Sequence, residues 1–272
     1  MTGCCQGFKN MRSQSLKRVT VRNRQIGGDK PLICLPLVGK TKEDIFVKTE
    51  AVTALNPDIL EWRVDGYVGV SEVKSCLELL GSIRDLIGDI PLIFTCRRKE
   101  EGGFEGALGL TDAMRLDLYK EVADTGLADI IDAELSCGSD FLSRLRKMAD
   151  GQGVRLIYSS HNFIKTPEEK DILSLLINAE EQGADIAKVA VTAQNYGDVL
   201  TLLSATNRAR SGKVKVPMIT ISMGQYGSMT RLVGGLFGSD VTFGDGLGSS
   251  APGQLPFEEM RSAMKLFYGR EV

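Results

Sequence analysis

Eight short apolar runs recur along the chain, and their spacing limits what it can fold into. They read "LICLPLV" from residue 32, "DILEWRV" from 58, "PLIFTC" from 91, "ADIIDAEL" from 128, "VRLIYSS" from 154, "DIAKVAV" from 185, "VPMITIS" from 216 and "DVTFG" from 240. Most are continuous rather than alternating, as strands buried on both faces of a parallel sheet are. Helical patterns lie between them. Thr41 opens one over 41–55 as N-cap, with Asp44 three positions on, and Val73, Leu77, Leu80, Ile83 and Ile87 form an apolar face ahead of a stop at Gly88. Further helices are expected over 111–126, 168–183, 196–209 and 257–268. An open doubly wound α/β sheet alternates in the same way. However, eight units over about 250 residues is the size of a single-domain (β/α)8 TIM barrel, and no glycine-rich dinucleotide fingerprint follows the first strand. The Gly-Gly pairs at 27–28, 102–103 and 234–235 have neither fingerprint nor P-loop spacing and are expected to be loop or packing residues.

Residues 1–16 are polar and aperiodic and lack a signal-peptide apolar core; they are expected to be a disordered leader, or an extension ahead of a start at Met11. The barrel is expected over 17–272. A net charge of −2 argues against a nucleic-acid surface, and no apolar run approaches the roughly 18 residues of a membrane span. The six cysteines show no CxxC spacing and no pairing logic, which suits a reducing cytoplasm.

In such barrels chemistry gathers at the C-terminal ends of the strands. Polar residues fall there in this chain. The second run carries Glu61, Arg63 and Asp65 at alternate positions, so Glu61 and Arg63 share a face. Arg97 follows the third run, Asp132 and Glu134 end the fourth, and His161, the only histidine in the chain, ends the fifth. Lys188 interrupts the sixth, where an ammonium is costly to bury unless it is paired. One reading pairs Lys188 with Glu134 or Asp132. The other makes it an amine nucleophile, with His161 beside it as general base near a pKa of ~6.5. Taken together, the two residues suggest a Schiff-base lyase or aldolase. Arg231 lies beyond a glycine-containing loop after the seventh run. The stretch 244–254 after the eighth, with four glycines, is expected to be a lid that orders on binding, with Ser250 and Gln254 as its polar contacts.

These stretches resemble the type I 3-dehydroquinase family. "ILEWRVD" (59–65), "TCRRKEEGG" (95–103), "SSHNF" (159–163), "ADIAKVAV" (184–191), "TRLVGGLFGS" (230–239) and "SAPGQ" (250–254) occur in the family's order over nearly the whole chain. The resemblance implies dehydration of 3-dehydroquinate to 3-dehydroshikimate, the third step of the shikimate pathway toward aromatic amino acids. Lys188 would form an imine at C3, His161 would move protons at C2 and the C1 hydroxyl, and Glu101 would orient His161. Glu61, Arg63 and Arg97 would hold ring hydroxyls, and Arg231 would bind the carboxylate with Ser250 and Gln254 closing over it. No metal or organic cofactor is implied. A cytoplasmic homodimer acting on a small molecule, with neither nucleic acid nor membrane as partner, is.

Some positions depart from the family pattern. Asn162 replaces an aspartate after the histidine, which is expected to lower the imidazole pKa. Cys96 stands where phenylalanine is frequent, Ile221 where methionine is, and Pro36 where some members have serine. Two other functions are weighed: a class I aldolase, which would usually need a phosphate site after strands seven and eight, and a non-catalytic barrel, which would not need a buried amine beside an imidazole.

Overall fold

The structure, a computed structural model, describes residues 12–248 and 250–269. A short antiparallel hairpin, β1 (Val19–Val21) and β2 (Arg24–Ile26), comes first. Eight parallel strands follow: β3 (Leu32–Leu37), β4 (Ile59–Arg63), β5 (Leu92–Thr95), β6 (Ile130–Glu134), β7 (Arg155–Asn162), β8 (Ile186–Thr192), β9 (Met218–Met223) and β10 (Val241–Phe243). Each falls on one of the eight apolar runs. Their order, β10-β3-β4-β5-β6-β7-β8-β9, is sequential and brings the last strand beside the first, which excludes a doubly wound sheet.

Helices α1 (Lys42–Ala54), α2 (Val73–Ile87), α3 (Asp112–Thr125), α4 (Gly138–Asp150), α5 (Glu169–Glu181), α6 (Tyr196–Arg208), α7 (Gly224–Gly227), α8 (Thr230–Phe237) and α9 (Phe257–Tyr268) surround the strands. Thr41 and Thr111 accept the Asp44 and Met114 amides, as their cap positions predict. Helix α4, which the sequence reading did not single out, starts at a glycine and has no side-chain cap. It therefore lacks the start signal that marks α1 and α3.

Alternate residues of each strand enter two separate cores. Leu60, Trp62, Leu92, Phe94, Ile131, Leu156 and Ala187 face outward against the helices. Ile59, Ile93, Ile130, Ile157, Ile186 and Ile219 face inward and form one layer across six successive strands. Burial of each contributes roughly 1.5–3 kcal/mol. Val19, Val21 and Ile26 of the hairpin join this inner cluster and close the N-terminal end of the barrel.

Residues 1–11 of the expected leader lie outside the described residues. Residues 12–16 correct its boundary: they are part of the barrel base. Buried Arg12 pairs with Asp240 and donates to the Gly28 and Ser239 carbonyls, and Ser15 Oγ donates to Asp240 Oδ2 at 3.0 Å. Composition missed this because the buried carboxylate that anchors both residues, Asp240, lies more than 220 positions away.

Seven ladders join the eight strands, and among the described residues none joins β9 to β10. Side chains close that seam instead. The amides of Met218, Thr220 and Ser222 donate to Asp240 Oδ2 at 2.7 Å, Ser239 Oγ at 3.0 Å and Thr230 Oγ1 at 3.2 Å. One main-chain bond, from Asp240 N to Met218 O at 2.6 Å, supplements them. Arg12 and Arg210 neutralise the buried Asp240 carboxylate.

Candidate active site

The isoleucine layer is the floor of the site. Two residues further along the strands, β4 to β8 bring up Glu61, Thr95, Asp132, Ser159 and Lys188; two further still come Arg63, Arg97, Glu134, His161 and Ala190. Period-two geometry alone carries each strand from apolar floor to ionisable rim. On the far side Ile221 and Met223 of β9 and Phe243 of β10 continue the wall with apolar groups. One cavity is lined by all nine residues singled out from the sequence: Glu61, Arg63, Arg97, Glu101, His161, Lys188, Arg231, Ser250 and Gln254.

Lys188 is buried, with its Nζ 2.8 Å from Asp132 Oδ2, 3.6 Å from Glu61 Oε1 and 4.6 Å above the centre of the Phe243 ring. Of the two ion-pair partners left open, Asp132 is the one realised. Glu134 instead takes Arg97 Nη1 and the Arg98 amide on Oε1, and Arg115 on Oε2. Arg97 reaches back to Asp132 at 2.9 Å and to Ser159 Oγ at 2.7 Å, and Ser159 donates to Asp132 Oδ1 at 2.6 Å. Thr95 Oγ1 donates to Glu61 at 2.9 Å. Burial pushes the Asp132 carboxyl up, but Arg97 and Lys188 outweigh it and hold the group well below the usual carboxylate range.

His161 is held from the side. Glu101 Oε2 accepts its backbone amide at 2.8 Å and lies 3.2 Å from its Nδ1. Burial, then Arg97 and Lys188, push the imidazole well below its ordinary value, against Asp132. That direction favours the neutral imidazole. Asn162 Oδ1 accepts the Ile164 and Lys165 amides at 3.0 and 2.9 Å in a local turn. Glu101 itself stands on a loop held close to the strand end. A Cβ on Gly103 would meet the Arg97 carbonyl oxygen at 2.3 Å.

Arg63 is fixed by two parallel bonds to buried Asp65, at 2.9 and 2.8 Å, and lies over the Phe104 ring. Arg231, from the start of α8, is 2 % exposed and donates only to carbonyls: Gly253 and Pro252 of the strap, and Phe243. Among the described residues no carboxylate pairs with it, and burial lowers its pKa to about 10. A buried guanidinium without a counter-ion that lines a cavity suits an anionic ligand.

The strap is described over 244–248 and 250–254. A Cβ on Gly253 would meet the Gly224 carbonyl oxygen at 2.3 Å, so this glycine permits close packing, whereas Gly248 has open space around it. Gln254 Oε1 accepts the Ser250 amide at 2.7 Å and so closes the tip. The sequence reading named Asp132 only as a possible partner of Lys188 and left Ser159, Thr95 and Phe243 out of the site. Their signal was the same two-residue step that marked Glu61 and Lys188.

A type I 3-dehydroquinase family model matches residues 33–271. The 3-dehydroquinate dehydratase of Aromatoleum aromaticum is 45% identical over 88% of this chain and 91% of its own. The crystal structure of the Geobacillus kaustophilus 3-dehydroquinate dehydratase superposes with a TM-score of 0.90 at 39% identity, over 93% of this chain and 96% of that one. The Clostridium difficile type I enzyme, solved with covalent modified comenic acid, gives 0.89 at 40% identity over 93% and 99%. Fold, polar layer and matched length agree: the chain belongs to the type I 3-dehydroquinase family.

Proposed function

We propose that the chain dehydrates 3-dehydroquinate to 3-dehydroshikimate through an imine on Lys188. The observation that carries this reading is the buried Lys188 ammonium between two carboxylates, in one cavity with the His161 imidazole and with the Arg231 guanidinium, which meets no carboxylate among the described residues. Arg231 takes the substrate carboxylate under the strap, and Glu61, Arg63 and Arg97 take ring hydroxyls. His161 takes a proton from the Lys188 ammonium, the freed amine adds to the C3 carbonyl, and the carbinolamine hydroxyl leaves as water with that proton to give the iminium. That cation occupies the place of the ammonium, so Asp132 and Glu61 serve it without rearrangement. His161 removes a proton from C2, and the electrons flow into the iminium to give an enamine. The enamine expels the C1 hydroxyl, which leaves as water with the proton that His161 carried. Hydrolysis of the unsaturated iminium returns the amine, so the net change is loss of one water. The C. difficile relative, solved with covalent modified comenic acid, supports covalent chemistry in this family.

Retro-aldol cleavage of a sugar phosphate is less favoured, because one arginine under a strap suits a carboxylate better than a phosphate. The reading requires no cofactor, and it places the chain in the cytoplasm on the shikimate pathway, as a homodimer. Borohydride added during turnover is expected to fix one reduced ligand mass on a peptide containing Lys188, and Lys188→Ala to abolish the adduct. An adduct on another lysine in an active preparation overturns the assignment.

A further inference from the structure

Glu101 is the buried carboxylate of the site that has no arginine or lysine in contact with it among the described residues; its one ionic partner is His161. Its Oε2 is used twice, by the amide and by Nδ1 of His161. Its Oε1 receives one donor, Ser136 Oγ at 2.6 Å. Ser136 lies in the turn Leu135–Cys137 that follows β6, so the chain Ser136–Glu101–His161 joins the ends of three neighbouring strands, β6, β5 and β7.

We propose that Ser136 is a positioning residue for the reaction: its hydroxyl fixes the Glu101 carboxylate so that Glu101 holds His161 by Nδ1–H and leaves Nε2 as the base. The proposal rests on the dehydratase reading for its kinetic consequence only. Burial raises the Glu101 pKa. The Ser136 bond is the largest influence against burial, Glu134 on β6 adds to the rise, and Arg97 and the His161 amide oppose it. Around His161, burial, Arg97, Lys188 and Arg63 disfavour the imidazolium and Asp132 favours it. Without the hydroxyl, Oε1 loses its donor and Glu101 takes up a proton at higher pH. A protonated Glu101 donates to Nδ1 rather than accepting from it. The neutral ring then carries its proton on Nε2, and the base is lost.

The test compares wild type, Ser136→Ala and Ser136→Thr, untagged. The kcat–pH profile with 3-dehydroquinate and the 15N resonances of the single imidazole are both recorded. Ser136 is exposed, so truncation opens no hole in the core. In Ser136→Ala the acid limb of kcat is expected to move up by about one pH unit, lowering kcat about tenfold on the acid side, with KM within about twofold. Ser136→Thr, which keeps the hydroxyl, is expected to follow wild type. The imidazole of free wild type should carry its proton on Nδ1, and Ser136→Ala should shift toward the Nε2–H form over the pH range of its displaced limb. An acid limb and tautomer unchanged in Ser136→Ala overturn the proposal, as does a Thr variant displaced as far as Ala. The tautomer is read without turnover, so a wild type unable to dehydrate 3-dehydroquinate would refute the functional reading and still leave the Ser136 claim decided.

Discussion

Burial beside Arg97 and Lys188 favours the neutral form of His161, and that has a consequence for stability. A histidine whose folded pKa is depressed binds no proton in the native state where the unfolded chain does. Stability is therefore full above the unfolded value of about 6.5 and is lost as pH falls below it. His161→Gln removes this loss, so between pH 7 and 5 the variant is expected to lose less stability than wild type in urea unfolding. Equal losses would show that the imidazole titrates normally. The pairing of Lys188 shows what residue-level reading reaches. Both candidate carboxylates were legible in "ADIIDAEL", two positions apart. Ladder register alone points to the wrong one, since Glu134 is level with Ser159 and Ser159 with Lys188. Strand tilt decides. The inner isoleucine layer steps by two residues at β4–β5, β6–β7 and β8–β9, where Ile93 pairs with Glu61, Ile130 with Arg155 and Ile219 with Lys188. That step brings Asp132 to the height of Lys188. A sequence states the period of a strand but not its inclination.

Among the elements, the β9–β10 seam depends most on a few side chains. Asp240 alone accepts the Met218 amide, the Ser15 hydroxyl and the guanidinium groups of Arg12 and Arg210. Asp240→Ala leaves Arg210 buried without its carboxylate and strands the Met218 amide, so a loss of about 3–5 kcal/mol is expected in denaturant unfolding. A loss below about 1 kcal/mol would mean that water replaces the carboxylate. The hairpin β1–β2 belongs to the same base and was not legible. Its strands are three residues each, and its turn carries Arg22 at a φ of 49° instead of the glycine that usually marks such a turn.

At the scale of the molecule, an apolar surface remains on one side. Tyr196 and Leu200 of α6 are 64% and 66% exposed, and Tyr226 and Met229, from α7 and the start of α8, are 44% and 43% exposed. Tyr196 meets Tyr226 edge to face at 5.1 Å. This face is where the proposed homodimer is expected to form. Light scattering should give twice the chain mass for wild type and a monomer for Leu200→Asp with Tyr226→Asp; a dimer that survives both changes would place the interface elsewhere. The barrel was legible because eight buried runs in succession leave a chain few other closed solutions. What closed it was not, because the seam is made by single side chains with no periodic signature.

The seam also divides the labour of the site. A cylinder riveted along seven lines and laced along the eighth yields at the lacing first. Arg231 and the strap hang from β9 and β10, the two strands that flank the lacing, whereas Lys188, His161 and Glu101 stand among strands joined by continuous ladders. Any opening along that line would reach Arg231 and the strap before it reached Lys188, His161 and Glu101.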